Sequence, residues 1–420
     1  MRTVFSELRS RHDDRQATAQ PGLITWLQGR APVPLVVGAV LLLLNAYYQA
    51  YHAGNNGLDN TWVTDAARLF VDGKAPYANE RFLYLPAGVL VGVPQTRLGH
   101  ETLLAVVPLA GIVLVLGGWF FALRLFAVPV LSRLAVLVAG GLAMFEPFTN
   151  VVQIGNWTSG YVLVLPLALL LARREQWIAA AVVLGLAISI KPILAPVVLL
   201  FLMARRFLAF LTVLALPLVI SVAAGAMMPQ ASLFVTKTLP YLLKGQGDFA
   251  TPFDASIGNV LTRLGLPESA ASVLGLAVGA ATVLLAWRRW RNGGDQALRL
   301  AETSAMLMLA AFLASKPSFD HYMLIPLVPV VAGVLVPGAA ARSPWFWLGL
   351  IPMVNGLNLP YVSAWNTYNY RVTFTNSMTA AVLAVRSLFP ARAGYDARQQ
   401  PAAAGPAVAA EEAPGLLSPR

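Results

Sequence analysis

Residues 103–123 read LLAVVPLAGIVLVLGGWFFAL, twenty-one positions without a charge. A bilayer core about 30 Å thick is crossed by about 20 apolar residues in a helix. This run is long enough to span a membrane. The rest of the 420-residue chain has the same character: 57% of it is hydrophobic, 12% is charged, and mean hydropathy is +0.65. Soluble chains are typically about 45–50% apolar and about 25% charged. Half the usual charge cannot coat a globule of this size, which excludes a soluble enzyme, and such apolar content excludes disorder. The chain reads as an all-α polytopic membrane protein.

On the same ruler the first span is 32–50. Further segments are expected near 103–123, 134–148, 158–172, 177–190, 193–204, 207–228, 270–287, 300–315, 322–340, 345–360 and 374–385, about twelve in all. The pair 177–190 and 193–204 is too short for two full passes. It reads as a broken hairpin with Lys191-Pro192 at its tip, below the membrane surface. No repeat relates the two halves. The first 30 residues carry Arg2, Arg9, Arg11, Arg15 and Arg30 without an apolar core, so they read as a retained cytoplasmic segment rather than a cleaved signal peptide. The expected organisation is 1–31 cytoplasmic, 32–390 membrane domain, and 391–420 a disordered cytoplasmic tail rich in Ala, Pro, Gln and Glu.

Charge tests this layout, because cytoplasmic loops carry the excess of Lys and Arg. With both termini inside, the inner loops and ends hold 20 of the 30 basic residues and nine acids, while the outer side holds ten of each. The whole net charge of +11 then falls on the inner side, and nucleic-acid binding is unnecessary to explain it. The chain has no Cys, which excludes disulfides and thiolate-ligated metals. Its four His are His12, His52, His100 and His321, with no two at metal-ligand spacing.

The outer charges gather in the first outer loop 51–102, the turn from Glu146 to Asn156, the long outer loop 229–268, the turn from Ser315 to His321, and Lys191. Residues 57–70, GLDNTWVTDAARLF, place Trp62, Ala66, Leu69 and Phe70 on one face and predict a short amphipathic helix at the interface. Asp59 at its start is either an N-cap or a general base held at the membrane surface. Asp65 and Arg68 suit a helix-surface pair. Tyr84, before Leu85-Pro86, either anchors at the headgroups or lines an aromatic slot for a sugar or isoprenoid. Lys191 is an ionisable group deep in apolar sequence, a functional-site signal; its bland reading is snorkelling. A lipid phosphate is its natural counter-ion, and Lys237 adds a second cation on the same side. Asp320 and His321 put an acid and an imidazole at an outer edge beside Lys316. Gln153, Asn156 and Trp157 add neutral polar groups, and Glu146 is placed to pair with a base. No cluster of carboxylates points to a required metal.

These residues resemble glycosyltransferase family 87, membrane enzymes of the GT-C superfold that take sugars from polyprenyl phosphates. Four stretches carry the likeness: Asp59 through Pro76-Tyr77 to Tyr84-Leu85-Pro86; Gly155-Asn156; Lys191-Pro192; and Ser315 to Tyr322 with His321. Together they thread most of residues 30–390. The family's usual Asp-Phe is Asp59-Asn60 here, and its usual His-His is His321-Tyr322. The stretch from Thr236-Lys237 to Leu243, with Ser256-Ile257-Gly258-Asn259 and Leu264-Gly265-Leu266-Pro267, is similar to the family's arabinofuranosyltransferases. The turn Asp320-His321-Tyr322 is closer to its mannosyltransferases.

The resemblance implies an inverting enzyme of the actinobacterial cell membrane, with its site facing the periplasm. It would move a sugar, arabinofuranose or alternatively mannose, from a polyprenyl-phosphate donor to a cell-envelope glycan or glycolipid. Membrane lipids would be its other partners, and no cofactor is implied. Asp59 would be the catalytic base. Lys191, Lys237 and His321 would hold the donor phosphate, and Tyr84, Gln153, Asn156 and Asp320 would bind substrate. A lipid or solute transporter is the alternative of another class, expected to carry polar groups near the midplane and often two related halves. A glycan-binding scaffold without catalysis is the third, and it would not need Asp59.

Overall fold

The computed structural model describes residues 22–79, 81–357 and 362–389. These described residues form one compact unit. The arginines at 2, 9, 11 and 15 and the tail 391–420 lie outside the described residues. Regular structure among the described residues is helical, apart from two isolated bridges, Arg30 to Ser132 and Phe145 to Val354. That is the expected outcome in hydrocarbon, where each backbone polar group needs a partner within its own segment.

In chain order, the helices that build the bundle and its site are α1 (Val33–Tyr51), α2 (Leu58–Val71), α3 (Pro86–Gly92), α4 (His100–Leu125), α5 (Arg133–Leu142), α6 (Glu146–Gln153), α7 (Thr158–Arg173), α8 (Trp177–Ile190), α9 (Phe207–Ala226), α10 (Glu268–Arg291), α11 (Gln296–Ala314), α12 (Leu324–Ala332) and α13 (Ala364–Leu388). Short polar residues start several of them: the Ser132, Asp295 and Ser363 side chains accept the N–H of Ala135, Leu298 and Asn366. Among the described residues five helices are long and apolar enough to cross a membrane: α1, α4, α9, α10 and α11. The pair α6–α7 makes a sixth if counted as one span, bent by 119°. Helix α11 is the centre of the bundle and almost wholly buried. Helices α1, α9 and α10 leave rows of Leu and Val exposed, among them Val37, Leu41, Leu211, Leu218, Val273 and Leu284. In a chain this apolar, such rows suit contact with lipid.

The expected segments therefore divide. Those at 32–50, 103–123, 207–228, 270–287 and 300–315 are full-length helices, but 134–148, 177–190 and 193–204 are shorter ones. The 322–340 segment is an apolar helical stretch from Asp320 to Leu335; the described part of 345–360 holds Pro344–Leu350 and one 3-10 turn, and 358–360 lie outside the described residues. The 374–385 segment is the C-terminal half of α13, whose first half buries Thr367, Asn369, Arg371 and Thr373 against the bundle. Polar groups and prolines at Glu146-Pro147 and Lys191-Pro192 break the apolar runs. The breaks cluster at one end.

Connections at the opposite end are tied to one another. The Arg173 guanidinium donates to the Leu125 carbonyl, Arg206 pairs with Glu175, and Gln296 donates to Glu175 (3.0 Å). Buried Arg289 pairs with Glu302, which also accepts the Ala340 N–H (2.7 Å). Asn292 and Arg288 donate to the Ser387 carbonyl (2.6 and 3.2 Å). The 177–203 hairpin closes here, with the Arg206 guanidinium 5.3 Å from the Trp177 ring centroid.

Helices α4 and α7 approach closely at Gly118, where an added Cβ would lie 2.3 Å from the Val162 carbonyl oxygen. Small residues allow such backbone contact in membrane bundles. Gly118→Ala should therefore destabilise by about 1–3 kcal/mol. The check is thermal unfolding in detergent beside Gly160→Ala, where nothing lies within 4 Å of the added Cβ. Equal melting temperatures would contradict the close approach.

Candidate functional site at the broken end of the bundle

Helix α2 begins with Gly57 in the left-handed region (φ 69°), which lets the chain turn sharply into the helix. The turn is held to the end of α6. The Gly57 N–H donates to the Gln153 carbonyl (2.9 Å) and the Asp59 N–H to the Ile154 carbonyl (2.8 Å). Asp59 is thus inside the first turn and is not the N-cap; its carboxylate caps nothing. One carboxylate oxygen accepts from the Asn156 side-chain amide. The Asn156 amide oxygen takes the Thr158 N–H (2.8 Å) at the start of α7. Asp59 and Asn156 therefore meet at the α6–α7 bend. Gln153 lies beside them and donates to the Asn55 side chain.

The face that α2 buries differs from the amphipathic reading. Asn60, Val63, Thr64, Ala66 and Ala67 are buried, whereas Trp62, Leu69 and Phe70 are partly exposed. The helix packs on protein: a Cβ at Gly92 of α3 would meet Val63 at 2.9 Å and Ala67 at 3.1 Å. Buried Asn60 is an organising group. It accepts from the Trp157 indole (2.8 Å) and donates to the Gln95 side chain (2.8 Å), with Thr64 completing the cluster.

An aromatic wall stands next to this floor. Tyr77, Phe82 and Tyr84 are buried, with Tyr77 against Phe82 (5.4 Å) and Phe82 stacked on Tyr84 (5.6 Å). The Tyr77 hydroxyl donates to the Tyr84 carbonyl (3.0 Å), and the Leu85 N–H donates to the Ile190 carbonyl (2.8 Å) freed by Pro192. Tyr84 meets Trp157 edge-on at 5.6 Å. Burial pushes both phenols far above their usual range, and Lys191 offsets this only in part at Tyr84. Both therefore stay neutral.

Lys191 emerges where α8 ends, and its ammonium lies 5.4 Å from the Tyr84 ring centroid and 5.2 Å from that of Tyr322. Cation–ring contacts of this kind gain about 2 kcal/mol when desolvated. Asp59 also lies within its electrostatic reach. Sites from three distant parts of the chain converge here.

The fourth part follows through Tyr322. His321 is buried and meets Tyr322 edge-on at 4.9 Å. Its Nδ1 lies 3.2 Å from the Asp320 carboxylate, and its Nε2 is buried without a hydrogen-bond partner. Asp320 is wholly buried and saturated: Asn150 donates to both of its oxygens (2.8 and 3.1 Å) and the Tyr368 hydroxyl to one (2.9 Å). Beyond it, Glu146 pairs with Arg371, which also donates to the Pro352 carbonyl. Lys237 is different. It is exposed, and its ammonium donates to the Ala78 carbonyl (2.6 Å), behind Tyr77. Its contacts run to the aromatic wall.

The structure brings together Asp59, Asn156, Tyr84 and Lys191, and links His321 and Asp320 to them through Tyr322. Asn60, Gln95, Asn150, Tyr368 and Arg371 were missed by the sequence reading. A polar residue beside an apolar run was the available signal, and it does not say which partner is found. Among the described residues no three His, Asp or Glu side chains gather in a way that could hold a metal ion.

A carboxylate, an amide, a shielded cation and a half-satisfied imidazole at the end of an apolar bundle suit group transfer at a membrane, and the comparisons give the class: the chain is a membrane glycosyltransferase. Residues 82–315 match glycosyltransferase family 87, and the chain belongs to that family. It is 29% identical over 319 residues to an α-(1→3)-arabinofuranosyltransferase of Corynebacterium glutamicum, covering 70% of this chain and 72% of the relative. It is 28% identical over 282 residues to one from Mycobacterium tuberculosis, covering 65% of this chain and 63% of that protein. It is 26% identical over 330 residues to one from Mycolicibacterium smegmatis, covering 74% of each. The chain thus spans roughly two thirds to three quarters of these relatives.

The Asn156 amide fixes the Asp59 carboxylate and the α7 cap together. Asn156→Ala should lower the turnover of sugar transfer by about 10- to 100-fold, with a stability loss of only about 1 kcal/mol from the cap. Turnover within twofold of wild type would show that Asp59 is positioned without it.

Proposed function

We propose that the chain moves arabinofuranose from a polyprenyl-phosphate donor to a cell-envelope glycan or glycolipid, with inversion at the anomeric carbon. The observation that carries this reading is the placement of the Lys191 ammonium against the rings of Tyr84 and Tyr322, with the Asp59 carboxylate within its electrostatic reach. A glycosyl phosphate brings its own leaving group, so the general acid needed by glycoside hydrolysis is dispensable. Asn156 occupies one oxygen of Asp59; the other accepts the proton of an acceptor hydroxyl. The acceptor oxygen then bonds to the anomeric carbon as the carbon–phosphate-oxygen bond breaks. Polyprenyl phosphate leaves with the electron pair, and Lys191 stabilises the charge it gains.

His321 completes the phosphate site. Asp320 holds Nδ1, which leaves the partnerless Nε2 for the phosphate or the sugar. Asp320, saturated by its neighbours, acts by orienting His321 rather than by touching substrate. Lys237 holds the aromatic wall and meets the donor only at the mouth of the site. Arabinofuranose is the favoured sugar because the relatives cited above are arabinofuranosyltransferases.

The test uses purified protein with synthetic polyprenyl-phosphate arabinofuranose and polyprenyl-phosphate mannose, each with a short glycan acceptor. Transfer is expected from the arabinosyl donor, and Asp59→Asn should reduce it by about 10³-fold or more while donor binding persists. Transfer that survives Asp59→Asn would overturn the base assignment, and transfer from the mannosyl donor alone would reassign the sugar.

For topology, we propose twelve membrane segments with both termini cytoplasmic and the site facing out. The positive balance at the opposite end and the short helices paired around the breaks support this reading. The absence of Cys makes it directly testable. Thr236→Cys should react with a membrane-impermeant maleimide on intact cells and Arg174→Cys only after lysis. The reverse pattern would invert the orientation.

A further inference from the structure

At the end of the bundle away from the site, the structure shows two neighbouring hollows that sugar transfer does not use. One is a cavity of about 430 Å³ lined by Arg124, Arg173 and Arg174 with Val128, Pro129 and Leu170. No acid lines it, and among the described residues none of the three arginines has an ion pair. Arg173 is committed to the Leu125 carbonyl, while Arg124 and Arg174 are exposed. Three guanidinium groups in one cavity repel each other unless an anion sits among them, and planar guanidinium forks match phosphate oxygens.

The second hollow is an apolar groove of about 240 Å³ between α1, α4 and α5, lined by Val36, Val40, Leu116, Phe120, Leu123 and Val136 among others. The turn after α4 is their shared wall: Val128 and Pro129 face the basic cavity, and Val130 faces the groove. Leu123 lines the groove and Arg124, the next residue, the cavity. A cationic pocket beside an apolar groove at a bundle end fits one kind of molecule.

We propose that these hollows bind an anionic phospholipid, its phosphate among Arg124, Arg173 and Arg174 and an acyl chain along the groove. Basic pockets between membrane helices are suited to such headgroups, and the cavity is in the size range of small-ligand sites. Free phosphate shares the headgroup chemistry but would leave the groove unfilled, which favours the lipid.

The experiment is native mass spectrometry of the purified full chain titrated with phosphatidylglycerol, phosphatidylcholine or inorganic phosphate. Phosphatidylglycerol should bind about tenfold or more tightly than phosphatidylcholine, a difference equal to about 1.4 kcal/mol. Millimolar phosphate should not displace it. The Arg124→Gln/Arg174→Gln variant should bind both lipids alike, while Arg291→Gln, an exposed arginine elsewhere at the same end, should keep the preference. Melting of the lipid-free variants confirms that they fold. Equal binding of the two lipids, displacement by phosphate, a preference that survives the double substitution, or its loss in Arg291→Gln would each overturn the assignment.

Discussion

A lysine at the end of an apolar helix is costly unless something replaces the water it gives up. Lys191 sits at such a place, where Pro192 ends the α-helical ladder and the Ile190 carbonyl is left free. The structure meets both needs with one segment. Leu85 gives its N–H to that carbonyl, and the same loop sets the ring of Tyr84 beside the ammonium. The Tyr322 ring is a second neighbour of the ammonium, 5.2 Å away. Rings attract a cation but do not neutralise it, so the positive charge is held for an anion that arrives later. Asp59 stands within reach of that charge without closing on it as a salt bridge. An acid and a base that quenched one another would have no charge left for substrate.

The surroundings keep this arrangement rigid. The bend between α6 and α7 places Asn156 against Asp59, and Asn60 ties α2 to Trp157 and Gln95. Asp320 is locked by Asn150, Tyr368 and His321, and the Glu146–Arg371 pair fastens α13 to α6 beside it. Positioned groups lower a barrier because their ordering is completed during folding. Asn60 and Tyr322, the chain neighbours of Asp59 and His321, both fall inside this framework. Each has a role in it: one as the polar hinge of α2, the other as a ring over Lys191.

Sequence reading was strongest where chemistry is periodic or costly. The apolar runs marked α1, α4, α9, α10 and α11, since hydrocarbon thickness dictates their length. Lys191, Asp59, Asn156, Tyr84 and His321 stood out as polar groups in apolar surroundings at one end of the spans; the structure sets Asn156 on Asp59, Tyr84 beside Lys191, and His321 one intervening ring from Lys191. Short, bent and polar-faced elements were less legible. Helix α13 reads as a span only over its apolar half, because counting apolar residues cannot see that Thr367, Asn369 and Thr373 face the bundle. Of the two readings of Asp59, cap and base, the fold removes the cap by placing Gly57 at that position. The partners of Asp320 lie far away in sequence and leave no local trace, and Lys237 shared a side with Lys191 without sharing its surroundings.

The central claim is that Lys191, flanked by Tyr84 and Tyr322, holds the phosphate of the lipid donor within reach of Asp59. The direct measurement is a structure of the protein in a lipid nanodisc with a non-transferable polyprenyl-phosphate analogue. The account predicts phosphate density within hydrogen-bond distance of the Lys191 ammonium, with His321 Nε2 turned towards the bound group. Phosphate density elsewhere, with Lys191 still against its two rings and unoccupied, would contradict it.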